Sequence, residues 1–423
     1  MRVLYSVLMS LLQPLLRRKL QRRGRQEPGY LVAIDERFGV YTQAALPDDG
    51  RTVWVHAVSL GETRAAAVLI AALRRQFPQL RLLLTHGTAT GRAEGAGLLR
   101  AGDVQVWQPW DTPAAARRFL AHFRPRVGIL LETEVWPNLA AECVRAGVPL
   151  VLANARLSEK SLRRAQSIAW LARPAYRSLA AVWAQTQDDA ARLAALGAPV
   201  QGVFGNLKFD ATPDAALLER GHAWRAALAR PVLMFASSRE GEEAELLRCL
   251  RATGAAAREV QWLIVPRHPQ RFDEVAALIA GQGFSLARRS QWGEQPTLVE
   301  LSADVWLGDT LGEMALYYGM SDAALLGGSF APLGGQNLIE AAACGCPVLM
   351  GPHTFNFEEA ASLALEAGAA ERCTDQGDAV NRGLTLVQNA ARQQAMAGAA
   401  SDFAHAHRGA AQRTCAALAT YLG

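Results

Sequence analysis

The chain is 423 residues long, half of them apolar and a fifth charged, which specifies two or three folded domains and excludes a disordered chain. Arg2 and the cluster Arg17, Arg18, Lys19, Arg22, Arg23 and Arg25 carry seven positive charges, so the formal net charge of +5 leaves the rest of the chain near −2 (5 − 7). A folded basic face for nucleic acid is therefore not expected; six scattered cysteines without a paired CxxC pattern argue against a zinc or disulfide framework and fit a reducing compartment.

Residues 3–16 are apolar but interrupted by Gln13 and Pro14. A spanning helix needs about 20 apolar residues, so this run suits an interfacial or shallowly inserted segment. The basic cluster follows the run, whereas a signal peptide would place it before. Residues 1–25 are expected to form a membrane foot on the cytoplasmic side, each basic group contributing roughly 1 kcal/mol on anionic lipid.

From residue 53 apolar runs alternate with Ala/Leu/Arg-rich helical patterns. Strands are expected at 53–58, 80–86, 104–109, 127–133, 148–154, 180–186 and 200–204, with helices such as 63–76 and 113–122 between them. Such alternation specifies a parallel sheet covered by helices on both faces. The turn-formers of Gly205-Asn-Leu-Lys-Phe-Asp-Ala-Thr-Pro-Asp214 read as a linker. A second series follows at 232–236, 260–265, 305–307, 323–327 and 347–350, and helical segments close the chain from 356 to 421. The expected fold is α/β: an anchor at 1–25, then Rossmann-like parallel-sheet domains at 26–209 and 210–423 facing a central cleft, where small-molecule sites concentrate.

In the first half, Val53 to Val58 runs into Ser59-Leu-Gly-Glu62 and a helix, so Glu62 lies at the carboxyl end of a strand, where α/β sheets bind ligands. Two roles are open to it there: a reacting carboxylate, or the arm of a capping box begun by Ser59. Glu132-Thr-Glu-Val-Trp-Pro-Asn138 ends another strand, and acids after an apolar run need partners; Asn154, Arg156 and Lys208 are the candidates. His56, inside a strand, reads as a satisfied core group.

In the second half, Gly327-Gly-Ser-Phe-Ala-Pro-Leu-Gly-Gly-Gln-Asn-Leu-Ile-Glu340 follows a strand and opens a helix. Its glycines admit close approach of a phosphate, with helix starts near Ser329 and Asn337 facing the anion; Gly328, Ser329, Asn337, Leu338, Ile339 and Glu340 are candidate nucleotide contacts. The stretch is neither a Walker loop nor a dinucleotide fingerprint. Ala236-Ser-Ser-Arg-Glu-Gly-Glu-Glu243, Pro266-Arg-His-Pro269 and Gly308-Asp-Thr-Leu-Gly-Glu313 follow other strands, and Arg267 suits bidentate phosphate binding. Four such loops after strands of one domain point to a nucleotide. No His/Asp/Glu cluster has metal-ligand spacing.

As a set these residues resemble the 3-deoxy-D-manno-octulosonate (Kdo) transferases of lipopolysaccharide assembly. The resemblance rests on Glu36-Arg-Phe-Gly39, His56-Ala-Val-Ser-Leu-Gly-Glu62, Glu132-Thr-Glu-Val-Trp-Pro-Asn138, Asn154-Ala-Arg-Leu-Ser158, Gly205-Asn-Leu-Lys-Phe-Asp210, Pro266-Arg-His-Pro269 and Gly351-Pro-His-Thr-Phe-Asn-Phe357. Two segments depart from the family pattern: Gly334-Gly-Gln-Asn-Leu-Ile-Glu340 stands where Gly-Gly-His-Asn-Pro-Leu-Glu is usual, and Ser237-Ser-Arg239 where Ser-Thr-His is usual.

The resemblance implies a GT-B glycosyltransferase on the cytoplasmic face of a bacterial inner membrane, with CMP-Kdo as donor and a lipid IVA-type glycolipid as acceptor. It implies inversion at the anomeric carbon and neither cofactor nor catalytic metal. Glu62 matches the base, Glu132 and Lys208 match charge-stabilising positions, and Pro266-Arg267-His268, Leu311-Gly312-Glu313 and Asn337 to Glu340 match the CMP-binding segments. The helix start at Glu62 is expected to keep its carboxylate ionised. A sugar-nucleotide epimerase of the same two-domain type and a non-catalytic nucleotide-binding protein remain as alternatives.

Overall fold

The computed structural model describes residues 2–293 and 295–423. The chain forms two compact units, one comprising residues up to Asp210 together with Arg408–Gly423, the other Ala211–His407. In the first, strands β1 (Thr52–His56), β2 (Arg81–His86), β3 (Val104–Trp107), β4 (Val127–Leu131), β5 (Leu150–Ala155), β6 (Ala181–Ala184) and β7 (Val200–Val203) build a sheet of order β3-β2-β1-β4-β5-β6-β7. Every pairing is parallel, as in Val53 opposite Leu82 on one side and Val127 on the other. The sequence read as continuous apolar runs because both faces are covered. Trp54 packs on one face with Phe119 and Phe123, while Val53 and Val55 pack on the other with Leu69 and Leu73.

The second unit repeats the design with β8 (Val232–Ser238), β9 (Gln261–Pro266), β10 (Leu286–Arg288), β11 (Val305–Leu307), β12 (Ala323–Leu326), β13 (Val348–Met350) and β14 (Ala370–Arg372), in the order β10-β11-β9-β8-β12-β13-β14. The chain reverses direction across the sheet at β1/β4 in the first unit and at β8/β12 in the second. Ligand crevices in such sheets open beyond the carboxyl ends at these points.

Two differences from the sequence reading have physical causes. Strands β10 and β14 were not expected: three-residue strands carry no periodicity, and β14 interrupts the helical close from 356 to 421. The expected 210–423 domain loses its last helix, Ala410–Leu422, which packs Ala410, Ala411, Cys415 and Leu418 into the core with Leu69 and Leu73. Asp210 makes this return specific, because its carboxylate accepts the backbone N–H groups of Gly409 and Ala411 at the start of that helix.

At the amino terminus, helices Arg2–Leu11 and Gln13–Gln26 meet at Leu12. Val3, Leu4, Val7, Leu8, Leu11 and Leu15 are exposed. Two cluster cations are committed within the unit: Arg17 pairs with Asp35 at 2.9 Å over the Phe38 ring, and Arg23 pairs with Glu27 at 3.3 Å over the Tyr30 ring. Arg18, Lys19, Arg22 and Arg25 are exposed. No described helix is long and apolar enough to cross a membrane.

Replacing Asp210 with Ala leaves the start of the final helix uncapped. The expected result is a loss of about 1–2 kcal/mol, read as a lower urea midpoint with faster amide exchange over residues 410–422; an unchanged midpoint would contradict the capping role.

Candidate functional site: carboxylates at one switch point, arginines at the other

Glu62 occupies the first turn of the helix Leu60–Gln76, with Ser59 as its N-cap. The Ser59 hydroxyl accepts the Glu62 N–H at 3.4 Å and donates to Glu62 Oε1 at 3.1 Å, while the Val58 N–H donates to Oε2 at 2.9 Å. The side chain is thus both a capping arm and a carboxylate at the carboxyl end of β1. Its pKa is pushed up to about 7 by burial, with Glu132 and Glu134 adding repulsion against the opposing hydrogen bonds from Val58 and Ser59. The helix start therefore does not hold Glu62 fully ionised at neutral pH: one amide and one hydroxyl do not offset burial among three carboxylates.

Glu132 ends β4, the neighbour of β1, with a positive φ of 59° that a non-glycine residue adopts only when its surroundings enforce it. Its carboxylate faces Lys208 Nζ and Arg156 Nη1, each at 3.9 Å. Asn154, also at positive φ, places Lys208: its Oδ1 accepts the Leu207 N–H at 3.0 Å, and Asn206 Oδ1 accepts the Lys208 N–H at 3.0 Å. The sequence-predicted trio of Glu62, Glu132 and Lys208 is brought together in this unit. Glu134, which the sequence offered without a role, accepts the Trp136 indole N–H at 2.8 Å and has its own pKa raised by burial.

His56 is buried, with Nδ1 2.9 Å from the Thr85 hydroxyl, and burial lowers its pKa to about 3; it is a core group. An open depression of about 690 Å³ lined by Arg117, Arg124, Arg126 and Arg145 lies at the amino ends of β4 and β5. The carboxylates stand at the other end of these strands, so the volume and the chemistry do not coincide.

In the second unit, the loops expected to hold a nucleotide leave four contiguous strands, β11-β9-β8-β12, at their carboxyl ends. Glu242 ties two of them together, accepting the N–H of Gly328 at 2.8 Å and of Arg239 at 2.9 Å. Gly328 has φ 68°, and a Cβ there would meet Gln336 Nε2 at 3.1 Å and Arg239 Cγ at 3.6 Å. Gln336 Oε1 in turn accepts Arg267 Nε–H at 3.2 Å. Gln336 and Arg239, two of the residues at which the sequence departs from the resembled pattern, therefore lie against this glycine, with Arg267 bonded to Gln336. Burial, followed by repulsion from Arg239, Arg267 and Arg271, lowers the pKa of His268. Pro266 closes β9 and aims this loop, while Arg271 anchors it through a bidentate pair with buried Glu243, at 2.8 and 3.2 Å.

Other predicted contacts divide. Glu313 pairs with Arg289 at 2.7 Å and takes the Thr310 hydroxyl, with Gly312 at φ 81° and Leu311 exposed beside it. Arg289 was not anticipated; it follows a three-residue strand that left no signal, and its guanidinium lies 5.3 Å from the Trp224 ring centroid. Ser329 is not at a helix start: it is fully buried, its hydroxyl donates to the Leu326 carbonyl and accepts the Gly351 N–H at 2.8 Å, and so ties β12 to β13. The helix begins only at Leu338 and is six residues long, so its dipole is short. Leu338 and Ile339 point into the core and offer only backbone, Glu340 is half-buried, and Asn337 Oδ1 is buried without a hydrogen-bond partner among the described residues. Among the described residues no group of three His, Cys, Asp or Glu side chains could hold a metal ion.

Two parallel seven-stranded α/β units of this topology define the GT-B fold class. The UDP-GlcNAc 2-epimerase from Neisseria meningitidis bound to UDP-GlcNAc shares the fold, with a TM-score of 0.58 at 15% identity over 87% of this chain and 100% of that one. Sequence separates the chain from the epimerases. The 3-deoxy-D-manno-octulosonic acid transferase of Bordetella pertussis is 48% identical over the full length of both chains. That of Haemophilus influenzae is 33% identical over 100% of this chain and 99% of its own. The family model for 3-deoxy-D-manno-octulosonic-acid transferase (kdotransferase) matches residues 33–211. The chain belongs to the Kdo transferase family and is a glycosyltransferase.

The raised Glu62 pKa has a thermodynamic consequence of definite sign. Between the ordinary 4.5 and about 7 the folded chain holds a proton at Glu62 that the unfolded chain has released, so this contribution to stability is present below pH 4.5 and is lost as pH rises through 7. Chemical denaturation from pH 4.5 to 8 is expected to show this decline in the wild type and a flatter profile in Glu62→Gln; identical profiles would contradict the shift.

Proposed function

We propose that the protein transfers Kdo from CMP-Kdo to a lipid IVA-type acceptor in lipopolysaccharide assembly, with inversion and without a catalytic metal. The observation that carries this reading is the Glu62 carboxyl, poised at about 7 at the carboxyl end of β1, where a general base for neutral pH belongs. Glu62 takes the proton of the acceptor hydroxyl as that oxygen bonds to the anomeric carbon. The bond from that carbon to the phosphate oxygen breaks, and CMP leaves with the electron pair. One base acting on one face, with departure from the other, inverts the centre.

Arg239 and Arg267, gathered at Gly328, supply positive charge for the departing phosphate, the role a divalent cation plays elsewhere. The open φ of Gly328 lets backbone approach that phosphate, and Glu313 with Glu340 offers acceptors for ribose hydroxyls. Glu132, held between Lys208 and Arg156, balances charge beside the base. The amino-terminal helices seat the enzyme on the cytoplasmic leaflet of the inner membrane. Leu4, Leu8, Leu11, Leu15, Arg18, Arg22 and Arg25 recur at alternating steps of four and three, so one helical stripe runs from apolar to basic, which suits acyl chains followed by anionic headgroups.

The test is CMP release from CMP-Kdo with lipid IVA. Glu62→Ala is expected to lower turnover by about 10²–10⁴-fold, and wild-type turnover is expected to climb with pH through about 7; undiminished turnover in the mutant would sink the assignment.

A further inference from the structure

The amino-terminal helix does more than present an apolar face. Tyr5 donates its hydroxyl to Asp111 Oδ2 at 2.9 Å, and Ser6 donates to Asn138 Oδ1 at 2.7 Å. At 100° per residue Ser6 lies roughly opposite the stripe of Leu4, Leu8 and Leu11, and Tyr5 lies on its flank. Asp111 is 1% exposed, and its carboxylate accepts the N–H groups of Asn138 at 3.1 Å and Leu139 at 2.8 Å, while Asn138 Nδ2 donates to the Asp111 carbonyl at 2.7 Å. Asp111 thereby caps the helix Pro137–Ala146, whose own N-cap residue, Trp136, provides no side-chain cap.

That helix start is one end of the turn that carries Glu132. The other end is β4, which stops at Leu131, so residues 132–136 are stretched between two fixed points. The positive φ of Glu132 is the kind of conformation that persists only while both ends are held. The Tyr5 to Asp111 bond joins residues 106 apart in sequence and spans from the lipid-facing helix to the active-site turn in two steps.

We propose that Tyr5 and Ser6 are positioning residues that hold the Glu132 turn through Asp111 and Asn138, so that the helix that seats the enzyme also sets the geometry of its charge-balancing carboxylate. This rests on the role given to Glu132 above, and the experiment separates the two. Turnover is measured with detergent-dispersed acceptor and saturating CMP-Kdo for Tyr5→Phe, Glu132→Gln and the double variant, with the KM for CMP-Kdo and vesicle binding recorded alongside.

Tyr5→Phe keeps the ring and removes only the donor. It is expected to lower kcat about tenfold, the scale of a sub-ångström misplacement, with the donor KM and vesicle binding unchanged. In the Glu132→Gln background the same change is expected to cost less than twofold, because Tyr5 acts through Glu132. An unchanged kcat in Tyr5→Phe overturns the proposal, as does an equal loss in both backgrounds, the signature of a plain structural staple. Full activity in Glu132→Gln overturns the underlying role of Glu132 and is read independently of Tyr5.

Discussion

Three carboxylates share the carboxyl ends of two adjacent strands, and the arrangement of the first unit follows from how their repulsion is contained. Glu62 is held by Val58 and Ser59, Glu132 by Lys208 and Arg156, and Glu134 by Trp136. The balance is uneven. Glu132 has two cations within 4 Å, whereas Glu62 has only hydrogen bonds, so burial, with added repulsion from Glu132 and Glu134, raises its pKa. Two acids of one residue type thereby sit in different surroundings, one between cations and one buried with only hydrogen bonds. The strained backbone of Glu132 and Asn154 and the turn that brings Lys208 back serve this division.

The second unit applies the opposite charge to the same topology. At its switch point stand Gly328, which leaves room, and Arg239 and Arg267, which bring positive charge, with Gln336 bonded to Arg267 and Arg239 paired with Glu240. The rigidity comes from buried acids behind the loops: Glu242 binds Gly328 and Arg239 through backbone N–H groups, and Glu243 fixes Arg271. A buried carboxylate is costly unless paired, and each of these has at least two donors. Arg239 and Gln336, where the sequence departs from the resembled pattern, both lie against Gly328.

Much of this was legible in the sequence, and the parts that were not have a common cause. Continuous apolar runs ending in Ser59, Glu132, Arg267 and Gly327 revealed strands and the loops that follow them, because a doubly covered parallel sheet demands such runs. The residue types at those ends named the chemistry. Hidden were facts that depend on partners far along the chain. The pKa of Glu62 is raised chiefly by burial, to which Glu132 and Glu134 add repulsion. Ser329 commits its hydroxyl to Leu326 and Gly351. The final helix reads like its neighbours, and only Asp210 and the core around Leu69 reveal which sheet it covers. Three-residue strands such as β10 are too short for any period, and Arg289 was lost with it.

Base chemistry at the β1/β4 switch point depends on the protonation of one side chain. Carbon-13 NMR of glutamate-labelled protein, with Glu62→Gln to assign the signal, follows the Glu62 carboxyl directly through pH. The predicted midpoint is about 7, moving down when Glu132 is replaced by Gln. A midpoint near the ordinary 4.5, indifferent to Glu132, would contradict the claim that crowded burial at the β1/β4 switch point prepares the base.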